Sequence, residues 1–221
     1  MFVRFHLTLW LCLALLGLAG CGHTPMTRTV FEATGLGHNV DAVKLNPDLR
    51  YLRVSTPDRV VLMVLGYTDA MPQGPLETWY SAEGEVLQLQ NGRAVSTVGL
   101  QTDWRRVDYT GLPSWMETLS RGWAQYVRTR DEMPGYRFGI QEALQIYKVA
   151  APANSRLQGI PAWTLQWYEE APNTSQQGAQ QALPSARYAL VYHPSGPRVV
   201  YGEQCFALGR CISWQTWPAT F

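Results

Sequence analysis

Histidine, net charge and cysteine are all scarce in this chain, and each scarcity removes a class of function. Four histidines occur in 221 residues; beyond His6 they are His23, His38 and His193, and none has a spacing that would hold a metal or steady a catalytic base. H-E-x-x-H, the G-x-S-x-G elbow and a glycine-rich phosphate loop are missing. By motif the sequence therefore supplies no metal, no cofactor and no catalytic residue. Charged residues make up 16% of the chain, with Lys+Arg 18 against Asp+Glu 17, so no field draws it onto a nucleic acid. No apolar run after the first twenty residues is long enough to span a bilayer. The strand-helix-strand rhythm of a nucleotide-binding fold is absent too.

The four cysteines divide by position. Cys12 lies inside an apolar amino-terminal stretch and Cys21 just after it, which leaves Cys205 and Cys211 as a pair. In an exported chain such a pair reads as a disulfide, worth about 2 kcal/mol on the loop-entropy account. A metal or redox pair competes with that reading, but two cysteines without further Cys or His ligands hold zinc poorly.

The amino terminus supplies the export signal. Arg4 precedes the apolar run Leu7 to Leu18, and Leu18-Ala19-Gly20-Cys21 resembles a bacterial lipobox, in which the signal is cut before a cysteine that is then acylated. The expected organisation is a signal peptide at 1–20, a lipidated tether at 21–36 and a single β domain at 37–221. Several acyl chains, each contributing about 0.8 kcal/mol per buried CH₂, would hold Cys21 in a lipid bilayer without a transmembrane helix. Gly22 stands where an aspartate would favour inner-membrane retention in enterobacterial lipoproteins, so the expected location is the outer membrane, with the domain facing the periplasm.

What the chain does have is β-forming residues. It is 46% hydrophobic and 12% aromatic, with nine tryptophans. In the stretch Trp79 to Leu100, two alternating runs meet at Asn91-Gly92, the dipeptide suited to a type I′ hairpin turn. The two-residue loop predicts Gln90 opposite Arg93, Leu89 opposite Ala94 and Leu87 opposite Ser96. Leu87, Leu89, Ala94 and Val98 then face inward, and Gln88, Gln90, Arg93 and Thr97 face outward. A tight turn at Glu83-Gly84 would add Leu76 to Ser81 as a third strand, pairing Tyr80 with Leu87 and Trp79 with Gln88. Val60 to Tyr67 is a continuous apolar run, expected of a strand covered on both faces. Trp163, Leu165 and Trp167 are expected on one face of a further strand. The many short strands predict an all-β fold, either a meander-rich antiparallel sandwich or a strongly bent sheet, with at most one or two short helices. Thr27 to Ala33 and Pro113 to Ser120 are the helical candidates, and Ala171 to Ser185 is a polar excursion.

Two chemistries remain open on residue grounds. Paired carboxylates from Asp103, Asp108, Asp131, Glu132, Glu169 and Glu170 could hydrolyse a glycoside, although adjacent Glu169 and Glu170 would point to opposite faces of a strand. Aromatic rings could instead lie against sugars or a protein partner. The candidate surface comprises Trp79, Arg93, Trp104, Trp123, Arg130 and Asp131, with Trp167 as a further possible platform; large aromatics of this kind also fill cores.

The lipobox, LNPDLRYLRV with the following apolar strand and Gly66-Tyr67, the block WYSAEGEVLQLQNGRAVSTVGL, and Pro134-Gly135-Tyr136 with Gly139 together resemble the YjbF/GfcB lipoproteins. Cys205 and Cys211 lie outside that pattern. Members are encoded with exopolysaccharide or group 4 capsule genes. The resemblance implies an all-β periplasmic lipoprotein that assists production or export of a polymer, has no catalytic site to carry over, and works beside other envelope polysaccharide-export proteins, with the polysaccharide itself a possible ligand. The alternatives are a periplasmic glycan-cleaving or glycan-modifying enzyme and a pure protein-interaction module of an envelope assembly.

Overall fold

A computed structural model describes residues 40–173 and 182–219. The amino-terminal signal, Cys21, the tether with its expected short helix, and most of the polar excursion lie outside the described residues. Within them the chain forms twelve strands: β1 (Tyr51–Ser55), β2 (Val60–Asp69), β3 (Leu76–Tyr80), β4 (Val86–Gln90), β5 (Arg93–Val98), β6 (Asp103–Thr110), β7 (Trp123–Met133), β8 (Arg137–Val149), β9 (Gln166–Pro172), β10 (Ala186–His193), β11 (Gly196–Ala207) and β12 (Arg210–Trp217). A single α-helix, α1 (Trp115–Arg121), and two 3₁₀ turns, Val40–Ala42 and Ala162–Thr164, complete the described elements.

All twelve strands belong to one antiparallel sheet in the order β5-β4-β3-β2-β1-β12-β11-β10-β9-β8-β7-β6. Of the two architectures that the sequence allows, the structure takes the bent sheet, curled into a nearly closed barrel. Consecutive strands pair everywhere except between β5 and β6, and β1 pairs with β12 to join the two ends of the chain. The ring is open at β5 and β6, which are consecutive in sequence but form the two edges of the sheet. Their connection is held by side chains. Asp103 accepts from the Gly99 and Leu100 backbone N–H groups at 3.1 and 3.0 Å, and the Thr97 hydroxyl accepts the Trp104 N–H at 3.0 Å. These bonds turn the chain without starting a ladder, so the two strands lie side by side without pairing.

The hairpin expected at Asn91-Gly92 is present, with φ of 50° and 78° at its two central residues, the positive values that a type I′ turn requires. Gln90 and Leu89 pair as predicted, and then the register changes: Gln88 faces Ser96 and Leu87 faces Thr97, with Val95 the extra residue. One inserted residue reverses the faces that follow it. Thr97 is consequently buried and Val98 exposed, the reverse of the expectation. The β3–β4 pairing also differs by one residue, Trp79 with Leu87 and Tyr80 with Val86, because the loop runs from Ser81 to Glu85 and is closed by the Ser81 N–H on the Glu85 carbonyl. That shift turns Trp79 into the core.

The barrel interior holds the main apolar cluster, including Met63, Leu87, Leu89, Leu144, Ile146, Tyr188, Phe206 and Trp214. Its outer face is covered in two places: Leu45 and Leu49 pack on Tyr51 and Val64, and Leu157 and Ile160 pack on Trp167, Val200 and Tyr201. Leu62, Met63 and Val64 are all buried, so the continuous apolar run of β2 is indeed covered on both faces. Leu165 and Trp167 are buried, but Trp163 sits in the second 3₁₀ turn and is exposed. Cys205 and Cys211 are directly opposed on β11 and β12 and form a disulfide.

Candidate functional site

The interior of the barrel changes character along β7. Ala124, Tyr126, Arg128, Arg130 and Glu132 share its inward face, so an apolar start gives way to charge. Glu142 on β8 and Glu170 on β9 face the same space and are buried. Arg128 donates from Nε to Glu142 at 2.8 Å and from Nη1 to Glu170 at 3.1 Å, and reaches Gln204 at 3.3 Å. Arg130 adds a second bond to Glu142 at 2.8 Å and pairs with Glu132, which also binds Arg137. The Tyr126 hydroxyl donates to Glu170. Trp104, fully buried at 0% exposure, lies beneath the guanidiniums of Arg128 and Arg130 at 4.7 and 5.4 Å, where its ring face favours cations.

Charge in so dry a place persists only if paired. Burial opposes the charge on Arg128, but Glu142 and Glu170 outweigh it and raise its pKa. Burial likewise pushes Glu142 towards neutrality, and Arg128 with Arg130 more than reverses this, leaving its pKa below the ordinary value. The tyrosines move the other way. Burial first, and the Glu170 charge second, pushes the Tyr109 hydroxyl up to about 12 and raises Tyr126 and Tyr188 well above their usual range. Glu142 is thus held as an anion by two arginines, and the phenols are held neutral.

Beside this network the open seam forms a cavity of about 600 Å³. Its walls come from the outward face of the β4–β5 hairpin, from β6, and from the 111–115 segment leading into α1. Helix α1 is short but well defined. Ser114 caps it, accepting the Glu117 N–H at 3.2 Å while Glu117 accepts the Ser114 N–H at 2.8 Å, and Gly122 ends it at φ 77°. This fixes Trp115, whose Nε1–H donates to the Asn91 carbonyl at 2.8 Å and ties the helix to the hairpin tip. The Arg93 guanidinium lies 3.7 Å from the centre of the Trp115 ring and 5.3 Å from that of Tyr188. Its Nε is 3.6 Å from Glu170, a distance at which the ions attract without a hydrogen bond.

A family model described as "Group 4 capsule polysaccharide lipoprotein gfcB, YjbF" matches residues 29–180. The chain belongs to the YjbF family. A crystal structure of the hypothetical lipoprotein YmcC from Escherichia coli (K12) has the same fold, with a TM-score of 0.56 and 16% sequence identity over 80% of this chain and 87% of that one. Comparison with curated proteins found no match.

In this YjbF-family chain the tryptophans and arginines selected from sequence do not form one surface. Trp79 and Trp104 are core residues, and Arg130 is buried in the ionic network. Arg93 is also buried, at 2% exposure, because its guanidinium packs against Trp115, Tyr188 and Glu170. Trp123 is on the surface at 59% exposure. Asp131 sits at the β7–β8 edge, where its carboxylate accepts the Gly139 N–H at 2.8 Å. Of the acidic candidates, Asp103 holds the β5–β6 corner, exposed Asp108 pairs with Arg106 at 2.7 Å, and Glu169 bonds Tyr147 on the opposite face from Glu170, as strand alternation requires. Sequence reasoning passed over Arg128, Glu142, Tyr109, Tyr126 and Trp115. The signal was present in parity: Arg128 and Arg130 fall in step with Ala124 and Tyr126, and Glu142 with Leu144 and Ile146. Among the described residues there is no cluster of three His, Cys, Asp or Glu that could hold a metal, and no helix is long and apolar enough to cross a membrane.

Proposed function

We propose that this protein is a lipid-anchored, non-enzymatic accessory in the production or export of a surface polysaccharide, held in the outer membrane through acylated Cys21 with its barrel in the periplasm. The family match over residues 29–180 is the observation that carries the reading. The site chemistry supports it. A glycosidase needs one carboxyl group held protonated near neutral pH beside a second, ionised one. Here Glu142 and Glu170 are joined through a single guanidinium, and Glu132 is engaged by two others. A packed ionic interior of this kind braces the barrel wall next to the seam, a role suited to presenting a binding surface to polymer or to other export proteins.

The test uses the full-length chain in its own cell. Cys21→Ser should lose acyl label and leave the outer-membrane fraction, and deletion of the gene should lower surface polymer, with restoration by the wild-type chain. Unchanged fractionation of the variant would refute the anchor, and unchanged surface polymer after deletion would refute the accessory role.

A further inference from the structure

Arg93 is the one feature of the cavity that the barrel itself does not explain. Its guanidinium is buried and lines the cavity, yet Nε and Nη2 find no hydrogen-bond acceptor among the described residues. Glu170 does not serve it fully, because its nearer oxygen lies 3.6 Å from Nε, beyond hydrogen-bond reach. Buried donors left unmade are costly, and those of a charged group the more so. At the mouth of the same cavity stand exposed Arg105 and Arg106. Asp108 neutralises Arg106 at 2.7 Å, and Arg105 has no ion-pair partner among the described residues. The cavity therefore combines a guanidinium with unmade hydrogen bonds at its floor and an unpaired arginine at its rim with neutral hydrogen-bonding walls from Gln90, Ser96 and Tyr109. A volume of about 600 Å³ lies in the range of small-molecule sites, roughly 300–1,000 Å³.

We propose that the seam cavity binds an anionic sugar unit, its carboxylate or phosphate received by Arg93 and steered by Arg105, its hydroxyls bonded by Gln90, Ser96 and Tyr109. A planar guanidinium matches either anion in bidentate fashion. The competing occupant, an added peptide strand pairing with the free edges, meets opposition from the edges themselves. Val95 on β5 and Arg105 on β6 are bulge residues, and Arg105, Arg106 and Asp108 place charges along β6, the devices by which sheet edges repel strand addition.

The proposal rests on the polysaccharide reading for its choice of ligand, and it is tested apart from it, in vitro, by calorimetry on the full-length protein in detergent micelles. The probes are tetragalacturonate, its uncharged methyl ester, and glucose 6-phosphate. Tetragalacturonate or glucose 6-phosphate should bind, the ester should bind at least about tenfold more weakly, and affinity should fall with salt. A preference between the two charged probes identifies the anion. Arg93→Gln should abolish binding. Because that change could disturb the fold, Arg105→Gln at the exposed rim should independently weaken binding about threefold or more and flatten the salt dependence, and Ser96→Phe should block the cavity. The proposal is overturned by equal affinity for acid and ester, by full affinity in both Arg105→Gln and Ser96→Phe, by capture of an extended peptide in place of the sugars, or by no binding of either charged probe at roughly 10 mM. Any of these results leaves the accessory role to stand or fall on cell fractionation and surface polymer.

Discussion

Arg128→Met removes the guanidinium that joins Glu142 and Glu170 while keeping an apolar stem of similar reach. Breaking a buried ion pair from one side costs about 3–5 kcal/mol, because the abandoned charge stays buried. Here the loss falls at the lower end, about 3 kcal/mol, since Glu142 keeps Arg130 at 2.8 Å and Glu170 keeps Tyr126 and the longer Arg93 contact at 3.6 Å. For a domain of this size each kcal/mol moves the melting temperature by about 2–4 °C, so the variant should melt roughly 6–12 °C lower. Near-ultraviolet circular dichroism during heating and urea titration reads the change. Its pH dependence is the sharper test. The lowered pKa of Glu142 in the folded protein gives stability that is present above the ordinary glutamate value, about 4.3, and is lost as pH falls through the folded value. Without Arg128, Glu142 takes up a proton more readily, so the gap between variant and wild type should narrow as pH is lowered from about 7 towards about 4.5. Arg128→Met combined with Glu142→Gln should recover part of the loss, because a buried carboxylate that has lost one of its two arginines is gone while Arg130 keeps Glu132. A loss below about 1 kcal/mol, or a gap that is the same at both pH values, would refute the view that the buried network is held together by Arg128.

The buried phenols predict the alkaline limit. Tyr109 at about 12, with Tyr126 and Tyr188 raised in the same direction by burial and Glu170, keeps its proton when folded but would lose it near the usual value of about 10 when unfolded. Stability should be full below that pH and decline as pH rises through the folded values; tyrosinate absorbance at the ordinary pH from all three in a still-folded barrel would contradict it. Gly92→Ala at the β4–β5 tip and Gly84→Ala in the β3–β4 loop both force alanine into positive φ, 78° and 89°, but a Cβ at Gly92 would overlap Val199 whereas at Gly84 it meets open space. Both variants should lose about 1–2 kcal/mol from backbone strain, with Gly92→Ala losing a further 1–3 kcal/mol, about the usual cost of overpacking. Equal urea midpoints for the two would show that the tip does not press on β11.

Local chemistry alone determined a good part of this protein. Asn91-Gly92 specified its turn because few dipeptides accept two positive φ angles, and the alternation of β-forming residues specified an all-β chain. The uninterrupted apolar run of β2 announced a strand buried on both sides. Helical spacing in Pro113 to Ser120 marked the one described α-helix, and the structure adds its Ser114–Glu117 cap. Such signals need only a few neighbouring residues. Register and enclosure did not follow from them. One extra residue at Val95, and a five-residue loop in place of a tight turn after Tyr80, exchanged the faces that Thr97, Val98 and Trp79 occupy, and nothing local marks a bulge. The polar side of the hairpin looked solvated because it carries Gln88, Gln90 and Arg93; contact with β6, β9 and α1 is what buries Arg93. The tertiary structure alone decided that β1 would close on β12 while β5 and β6 came side by side without a ladder, and so left a charged cavity along the one unpaired seam of the sheet.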